Sequence, residues 1–415
     1  VLVYLYVSVF KSLFFKDITF QRYNRSMDGI QHASDNVIRA SDASCIEEKL
    51  EIHGLDLNKP ENQSLDAILS NYARIGFSST GFSKLCTEIN RMYSWRLSDD
   101  PYDPNRSYPE CPIARSKIRC KVFLGYTSNL VSSGLREYIR FLVQHSLVDV
   151  IVTSAGGVEE DIIKCLAPTY LGDWKTDGAM LRKNSINRIG NLLVPNDNYC
   201  LFEDWIIPIF DECVEQQRKG YHWTPSRLIW KLGERINDER SIAYWAYRNK
   251  IPIFCPAITD GSLGDMLFFH SYKNPGLIID VVGDIRAMNM QAINSPKNGC
   301  IILGSGTIKH HILNANLFAG DGADFAVYIN TAQEYDGSDA GATCDEAVSW
   351  GKISPTARPV KLCADATLVF PLLLHETILK KYKEDPEYWD SKKGGDPHEC
   401  YWTQMENEVR ESKRS

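Results

Sequence analysis

The chain reads as an α/β protein built on a doubly wound, mostly parallel sheet with an N-terminal helical cap, and three observations predict it. After Cys120, short apolar runs alternate with helical patterns and Gly-rich turns. Those runs are largely continuous rather than alternating, which means both faces of each strand are covered, as in a parallel sheet between helix layers. Upstream, apolar residues recur at helical spacing instead. With 415 residues, 44% of them apolar, the chain can bury one large core or two moderate ones without disulfides or metals.

Residues 1–26 begin with an almost wholly apolar run, Val1–Phe10, interrupted by Lys11. A run of ten residues is too short to span a bilayer. The run also lacks the basic region and small-residue cleavage pattern of a signal peptide. Residues 1–26 are therefore expected to be an upstream extension outside the fold, with Met27 the more natural start. Residues 27–119 form an N-terminal segment, polar to about residue 60. In it Leu65, Ile68, Leu69, Tyr72 and Ile75 fall at helical spacing, and Leu85, Ile89 and Met92 repeat the pattern after a break at Ser78-Ser79-Thr80-Gly81. These two amphipathic helices make the expected cap. Asp99–Pro112, with Pro101, Pro104, Pro109 and Pro112, reads as a linker or surface loop.

Residues 120–391 carry the α/β domain. Its candidate strands are Val122–Leu124, Val148–Val152, Ile251–Phe254, Leu277–Val282, Cys300–Leu303 and Phe325–Ile329. Residues 392–415 read as a charged, solvated tail.

Composition excludes several classes. The net charge is -7 and no Lys/Arg stripe forms, which argues against nucleic-acid binding and suits cationic partners. The 12 cysteines are scattered singly with no CxxC pair, so no metal centre is expected and a reducing, cytoplasmic setting fits best. Glycosylation-type triplets at Asn24, Asn62 and Asn105 read as unused. HExxH, GxSxG and P-loop patterns are missing, which removes the usual support for zinc protease, hydrolase and NTPase chemistry.

In an open α/β sheet the ligand lies beyond the carboxyl ends of the strands. The residues there are small and polar: Gly125-Tyr126-Thr127-Ser128-Asn129, Thr153-Ser154-Ala155-Gly156-Gly157 and Gly304-Ser305-Gly306. Such turns let backbone N–H groups approach phosphate at a helix start. Ordinary tight turns look the same, and the GxG lacks a third glycine. Carboxylates follow these turns: Glu159 and Glu160, Asp260 and Asp265, Asp336 and Asp339. Each alone reads as a cap or turn residue. Together with Glu346 they could focus negative charge on a cleft that holds a multivalent cation. His310 and His311 follow the Gly304 turn, and one of them would face the site as a proton acceptor.

The eight residues Asp345–Lys352 combine two carboxylates, Trp350 and Lys352. A Lys becomes a nucleophile when its ammonium is desolvated or lies near other cations, and Trp350 would supply a dry wall. Carboxylates and an indole face would also bind an organic polyamine. A solvated Lys closing a helical turn has the same local sequence, and the octapeptide alone favours that simpler reading.

In order, Gly125–Ser132, Ser154–Glu160, Thr259–Asp265, Lys309-His310-His311, Asn330-Thr331-Ala332, Gly337-Ser338-Asp339 and Glu346–Lys352 closely resemble the deoxyhypusine synthase family. The match runs from about Cys120 to Leu374 and includes the long stretch FFHSYKNPG at Phe268–Gly276. The resemblance implies a Rossmann-like core that binds NAD. It also implies an enzyme that moves the 4-aminobutyl group of spermidine, through an imine on Lys352, to a lysine of the translation initiation factor 5A precursor. By similarity His310 is catalytic beside Lys352. Glu159, Glu160, Asp265, Gly337, Ser338, Asp339, Glu346 and Trp350 match polyamine positions. Ser128, Asn129, Leu130, Val131, Ser132, Ser154, Ala155, Gly156, Glu160, Asp260, Ser305, Thr331, Ala332, Asp365 and Ala366 match the NAD pocket. A homotetramer with sites at a dimer interface is implied too, and no membrane partner. Ser305 departs from the family's usual glycine, which matters if φ there must be positive. Two other readings stand beside this one: a homospermidine synthase that uses putrescine as acceptor, and an inactive NAD-binding regulatory subunit.

Overall fold

A computed structural model of the chain describes residues 29–390, apart from 40, 42 and 107. The expected extension at 1–26 and tail at 392–415 lie outside the described residues. The chain divides into two compact units, Val1–Ile52 and His53–Ser415. In the first, the described residues are helical over 29–37 and make a 3-10 turn at Ala43–Cys45.

The second unit holds strands β1 (Lys121–Tyr126), β2 (Val150–Thr153), β3 (Tyr170–Leu171), β4 (Ile186–Ile189), β5 (Leu192–Pro195), β6 (Ile253–Phe254), β7 (Asn298–Leu303), β8 (Phe325–Asn330) and β9 (Val360–Cys363). Six of them form one sheet in the order β6-β2-β1-β7-β8-β9, with every pairing parallel. Counted among themselves, the six run 3-2-1-4-5-6, the order in which winding reverses between two halves and leaves a crevice. The reversal lies between β1 and β7, whose register runs from Lys121 opposite Asn298 to Tyr126 opposite Leu303.

Side chains of these strands divide between two apolar layers. Val122, Leu124, Ile151, Ile301, Leu303, Val327 and Ile329 join one layer with Leu85, Ile139, Ile162 and Phe370. Phe123, Val150, Val152, Cys300, Ile302 and Tyr328 join the other with Met288 and Ile312. Alternate residues thus face opposite helix layers, and each finds apolar surroundings. This is the doubly wound architecture expected from continuous apolar runs. Burying each such Val, Leu or Ile contributes roughly 1.5–3 kcal/mol.

The structure differs from the sequence reading at four places. Leu277–Val282 is not a strand: Asp280 accepts from the Val282 N–H at 2.8 Å and caps the helix Val281–Ile293. Ile278 and Val282 in that run are each 68% exposed, so it is apolar without being buried. β9 went unanticipated because only Leu362 in it is buried, as suits an edge strand. A small antiparallel sheet, β3-β5-β4, is formed by short, half-exposed strands that carry little apolar signal. The helix break falls at Gly76, where φ is 94°, and Ser78-Ser79-Thr80-Gly81 lies inside the helix Phe77–Ser94. That helix packs on β8 and β9 and buries Phe82, Leu85, Ile89 and Met92 in the sheet's own core. It is a layer of the core rather than a separate cap.

Among the described residues no helix is long and apolar enough to cross a membrane. Every cysteine there is free.

At the crevice Gly304 takes φ 88°, and a Cβ on it would stand 2.5 Å from Thr127 Oγ1. Gly304→Ala should therefore destabilise the protein by about 1–3 kcal/mol. Urea unfolding of the variant checks this, and a loss of less than about 0.5 kcal/mol would mean that the turn relaxes freely.

Candidate active site

The loops that leave the carboxyl ends of the strands are tied to one another. After β1, Thr127 donates to Asn129 Oδ1 at 2.6 Å, and the short helix Asn129–Ser132 follows with Leu130, Val131 and Ser132 buried. The Lys164 ammonium donates to the carbonyls of Val131, Ser132 and Ser133 at 2.9, 2.7 and 2.9 Å, and burial lowers its pKa. After β2, Ser154 precedes the helix Ala155–Leu166, in which a Cβ on Gly156 would stand 2.7 Å from Ser128 Cβ. This helix N-terminus carries only small residues and no side-chain cap, so its free N–H groups can receive an anion. After β8, the Asn330 side chain donates to Gly304 O at 3.4 Å and accepts from Ala332 N at 3.1 Å, which fixes Thr331 and Ala332 near the β7 turn. After β9, Asp365 caps the helix Ala366–Glu376 by accepting from Thr367 N at 2.8 Å. The positive φ values of the β7 turn fall on Gly304 and Gly306, at 88° and 72°. Ser305 between them is not among the residues of positive φ, so a side chain is tolerated there.

Two carboxyls are buried side by side in the helix Ala155–Leu166. Glu159 is 6% exposed and accepts from Leu263 N at 2.6 Å, in the first turn of the helix Ser262–Lys273. Burial pushes its pKa up, partly offset by the donors of Leu263 and Ser262. Glu160 is 4% exposed, and Tyr199 donates to its Oε1 at 3.3 Å. Its Oε2 is buried with no hydrogen-bond partner among the described residues. Burial raises the Glu160 pKa and the nearby Glu159 raises it further. A buried, unpaired carboxyl oxygen beside a second acid is a costly arrangement that a cation would relieve. Asp260 and Asp265 lie exposed on the loop and helix that touch Glu159.

The third group comes from β7, β8 and the segment after β8. Gly337 and Ser338 are exposed, with Ser338 N donating to Asp336 Oδ1 at 2.8 Å. Asp339 is half-buried and its Oδ2 lacks a hydrogen-bond partner among the described residues. The helix Cys344–Ser349 is capped by Thr343, which accepts from Glu346 N at 3.2 Å, and it ends at Trp350. Lys352 follows with its backbone held on both sides: its N–H donates to Ala347 O at 2.9 Å and its carbonyl accepts from Ala323 N at 3.0 Å. Gly322, at φ 95°, permits this approach, since a Cβ there would stand 2.8 Å from Gly351 O and Ile353 N. The Lys352 Nζ then lies 3.4 Å from His310 Nε2 and 5.6 Å from the Trp350 ring centroid. His310 is exposed on the helix Thr307–Asn316, and His311 is partly buried. Burial lowers the His311 pKa to about 4, with a contribution from the neighbouring His310.

Contacts thus join Glu159, Glu160, the Asp260 loop and Tyr199 in one group, and Asp339, His310, Trp350 and Lys352 lie in another around β7 and β8. Tyr199, Lys164 and Lys309 were not singled out from sequence, because each acts through a partner distant along the chain. Asp66, His375 and Glu376 bring ligand-type atoms within 4.8 Å of one another. The Lys380 ammonium lies 2.9 Å from Asp66 and 2.8 Å from Glu376, which makes this an ion-pair cluster.

The family model described as deoxyhypusine synthase matches residues 67–377. A deoxyhypusine synthase of Nicotiana tabacum is 56% identical over 346 residues, covering 80% of this chain and 90% of that one. One from Caenorhabditis elegans is 58% identical over 333 residues, covering 79% of this chain and 90% of its own. Among solved structures, a chain from Entamoeba histolytica described as a deoxyhypusine synthase superposes with a TM-score of 0.59 at 32% identity, covering 79% of this chain and 97% of that one.

The His311 pKa implies a pH dependence of stability. Its folded value, about 4, lies below the ordinary 6.5, so the contribution is present above pH 6.5 and is lost as pH falls through about 4. His311→Gln should abolish on the order of 3 kcal/mol of that acid-dependent loss. Urea unfolding at several pH values between neutral and acid measures it, and an unchanged acid slope would refute the buried neutral imidazole.

Proposed function

Because the chain belongs to the deoxyhypusine synthase family and is an enzyme, we propose that it transfers the 4-aminobutyl group of spermidine to a lysine of the translation initiation factor 5A precursor, using NAD. The observation that carries this reading is Lys352, held by its backbone with Nζ 3.4 Å from His310 Nε2 and beside Trp350. A Lys attacks only as a free amine, and His310 Nε2 is placed to take its proton. Lys352 then attacks the oxidised carbon of spermidine. The carbon-nitrogen bond to the leaving amine breaks as the bond to Lys352 forms, and diaminopropane departs. An acceptor lysine later displaces Lys352 from the butyl fragment.

The residues present fit a dinucleotide: small turns at the crevice, an uncapped helix N-terminus at Ala155, and loops tied through Asn330. Ser128–Ser132, Ser154–Gly156, Asp260, Thr331, Ala332, Asp365 and Ala366 would hold NAD, which supplies the hydride acceptor for the amine and the hydride donor for the final product. Glu159, Glu160, Asp265, Asp339 and Glu346 would hold the polyamine ammonium groups, and the unpaired oxygens of Glu160 and Asp339 support that role.

An imine exposed to water hydrolyses, so the site has to be closed during transfer. Trp350 is 64% exposed on the single chain, and a second copy would complete the wall. Exposed Phe268, Tyr272, Val282 and Ile285 on the helices Ser262–Lys273 and Val281–Ile293 support such association. A homotetramer with sites at a dimer interface, in the reducing cytoplasm, accords with these features and with the free cysteines.

Lys352→Arg should keep the charge and most packing while abolishing imine formation, because a guanidinium stays protonated. Borohydride trapping of labelled fragment on the variant would contradict the assignment. With labelled spermidine, NAD and both acceptors offered to the parent, label found only in homospermidine would overturn the choice of acceptor.

Glu160 makes an opposite pair of predictions. Its folded pKa is raised, so the free protein loses stability as pH rises through that value, whereas a bound ammonium requires the carboxylate. Spermidine affinity should rise with pH over the same range. Glu160→Gln should flatten that dependence and weaken spermidine roughly tenfold or more. It should also stabilise the free protein at alkaline pH by on the order of 1 kcal/mol. Calorimetric titrations across pH decide it, and an unaltered profile would remove Glu160 from the polyamine site.

A further inference from the structure

Four consecutive carbonyl oxygens of the loop after β8 accept hydrogen bonds from side chains of three other elements. The Lys309 ammonium donates to the carbonyl of Asp339 and, at 3.1 Å, to that of Ala342. The Ser305 hydroxyl donates to Ala340 O at 3.2 Å, and the Lys361 ammonium donates to Gly341 O at 2.7 Å. Ser305 belongs to the turn after β7, Lys309 to the helix that follows, and Lys361 to β9. The loop already closes on itself through Gly341 N and Ala342 N, which donate to Ser338 O at 3.1 and 3.2 Å. The extra donors are therefore not needed to make the turn. Lys309 is only 1% exposed, and an ammonium is costly to bury unless it meets acceptors of this kind.

With these carbonyls directed at the protein, the Asp339 carboxylate lies close enough to Lys309 to interact with its charge, and its Oδ2 is buried without a hydrogen-bond partner among the described residues. Lys309 also immediately precedes His310, so one helix carries both a tie to this loop and the base beside Lys352.

We propose that Ser305, Lys309 and Lys361 are positioning residues that clamp the loop Asp339–Ala342 and so present the Asp339 carboxylate to a polyamine ammonium, Ser305 serving this loop rather than the dinucleotide. The inference rests on the polyamine reading above and gives Ser305 a task that a glycine at its position could not perform.

The test uses the full chain with Ser305→Ala, Lys361→Met and Lys361→Arg. Spermidine KM is read from diaminopropane release, and NAD affinity is read separately from tryptophan fluorescence without polyamine. Ser305→Ala should raise the spermidine KM roughly two- to tenfold, the range for one lost hydrogen bond. Lys361→Met should raise it by about tenfold or more, as expected for a charged donor, and Lys361→Arg should recover most of that loss. NAD affinity should stay within about twofold throughout, below the effect of one lost hydrogen bond. If Ser305→Ala instead weakens NAD and leaves the spermidine KM unchanged, Ser305 belongs to the cofactor side and the clamp is refuted. An unchanged spermidine KM in Lys361→Met refutes it equally; should that variant not fold, the Ser305→Ala result decides alone. A parent protein that neither binds spermidine nor releases diaminopropane defeats the polyamine reading itself, and the clamp with it.

Discussion

The parallel pairing of β1 with β7 is the constraint on which the rest of the architecture depends. It joins the two halves of the sheet in a register from Lys121 opposite Asn298 to Tyr126 opposite Leu303. That register sets Gly304 against Thr127 where the winding reverses. Side chains alternate along a strand, so a slip of one residue would exchange the two apolar layers and separate these turns. Every loop with candidate chemistry leaves from this edge, and hydrogen bonds through Asn330 pass the constraint from β7 to the loop after β8. A rigid frame of this kind allows irregular segments to hold side chains in fixed positions.

Charge is arranged unequally around that frame. One group buries Glu159 and Glu160 together, and burial raises both pKa values. The other gathers Lys309, Lys361, His310 and Lys352 around β7, β8 and the segments next to them. Both arrangements carry a desolvation cost in the free protein, and an oppositely charged ligand group relieves the first. At these acids ionisation costs folding stability, while the ionised form is the one that a cation would bind.

Much of the frame was legible because its signal is local. Continuous apolar runs reported buried parallel strands, and β1, β2, β6, β7 and β8 all fall where such runs occur. Leu277–Val282 misled because apolarity and burial part company there, with Ile278 and Val282 exposed. β9 stayed hidden because an edge strand buries little. In the site, adjacency within the octapeptide put Trp350 near Lys352, whereas helical placement alone left His310 and His311 open and only the family resemblance pointed to His310. The backbone bridge Ala323 to Ile353 helps fix where Lys352 stands, and its Nζ lies 3.4 Å from His310 Nε2. Lys309 and Lys361 were unreadable for a different reason: their partners are main-chain carbonyls, which every residue offers, so no pattern of side chains marks them.

The exposure of Trp350 bears on how the reaction is confined. A Lys that attacks as a free amine gains from a dry wall, and an imine survives only away from water. The single chain fixes the position of Lys352 through Ala347, Ala323 and Gly322, yet leaves Trp350 64% exposed. Position and dryness are thus separate requirements here. The first is satisfied by backbone hydrogen bonds inside one chain, whose cost is met on folding. The second is not met by the described residues around Trp350, and under the proposed assembly a neighbouring copy would supply that surface. On the proposed reaction, a lone subunit would hold Lys352 in position and leave the imine open to water.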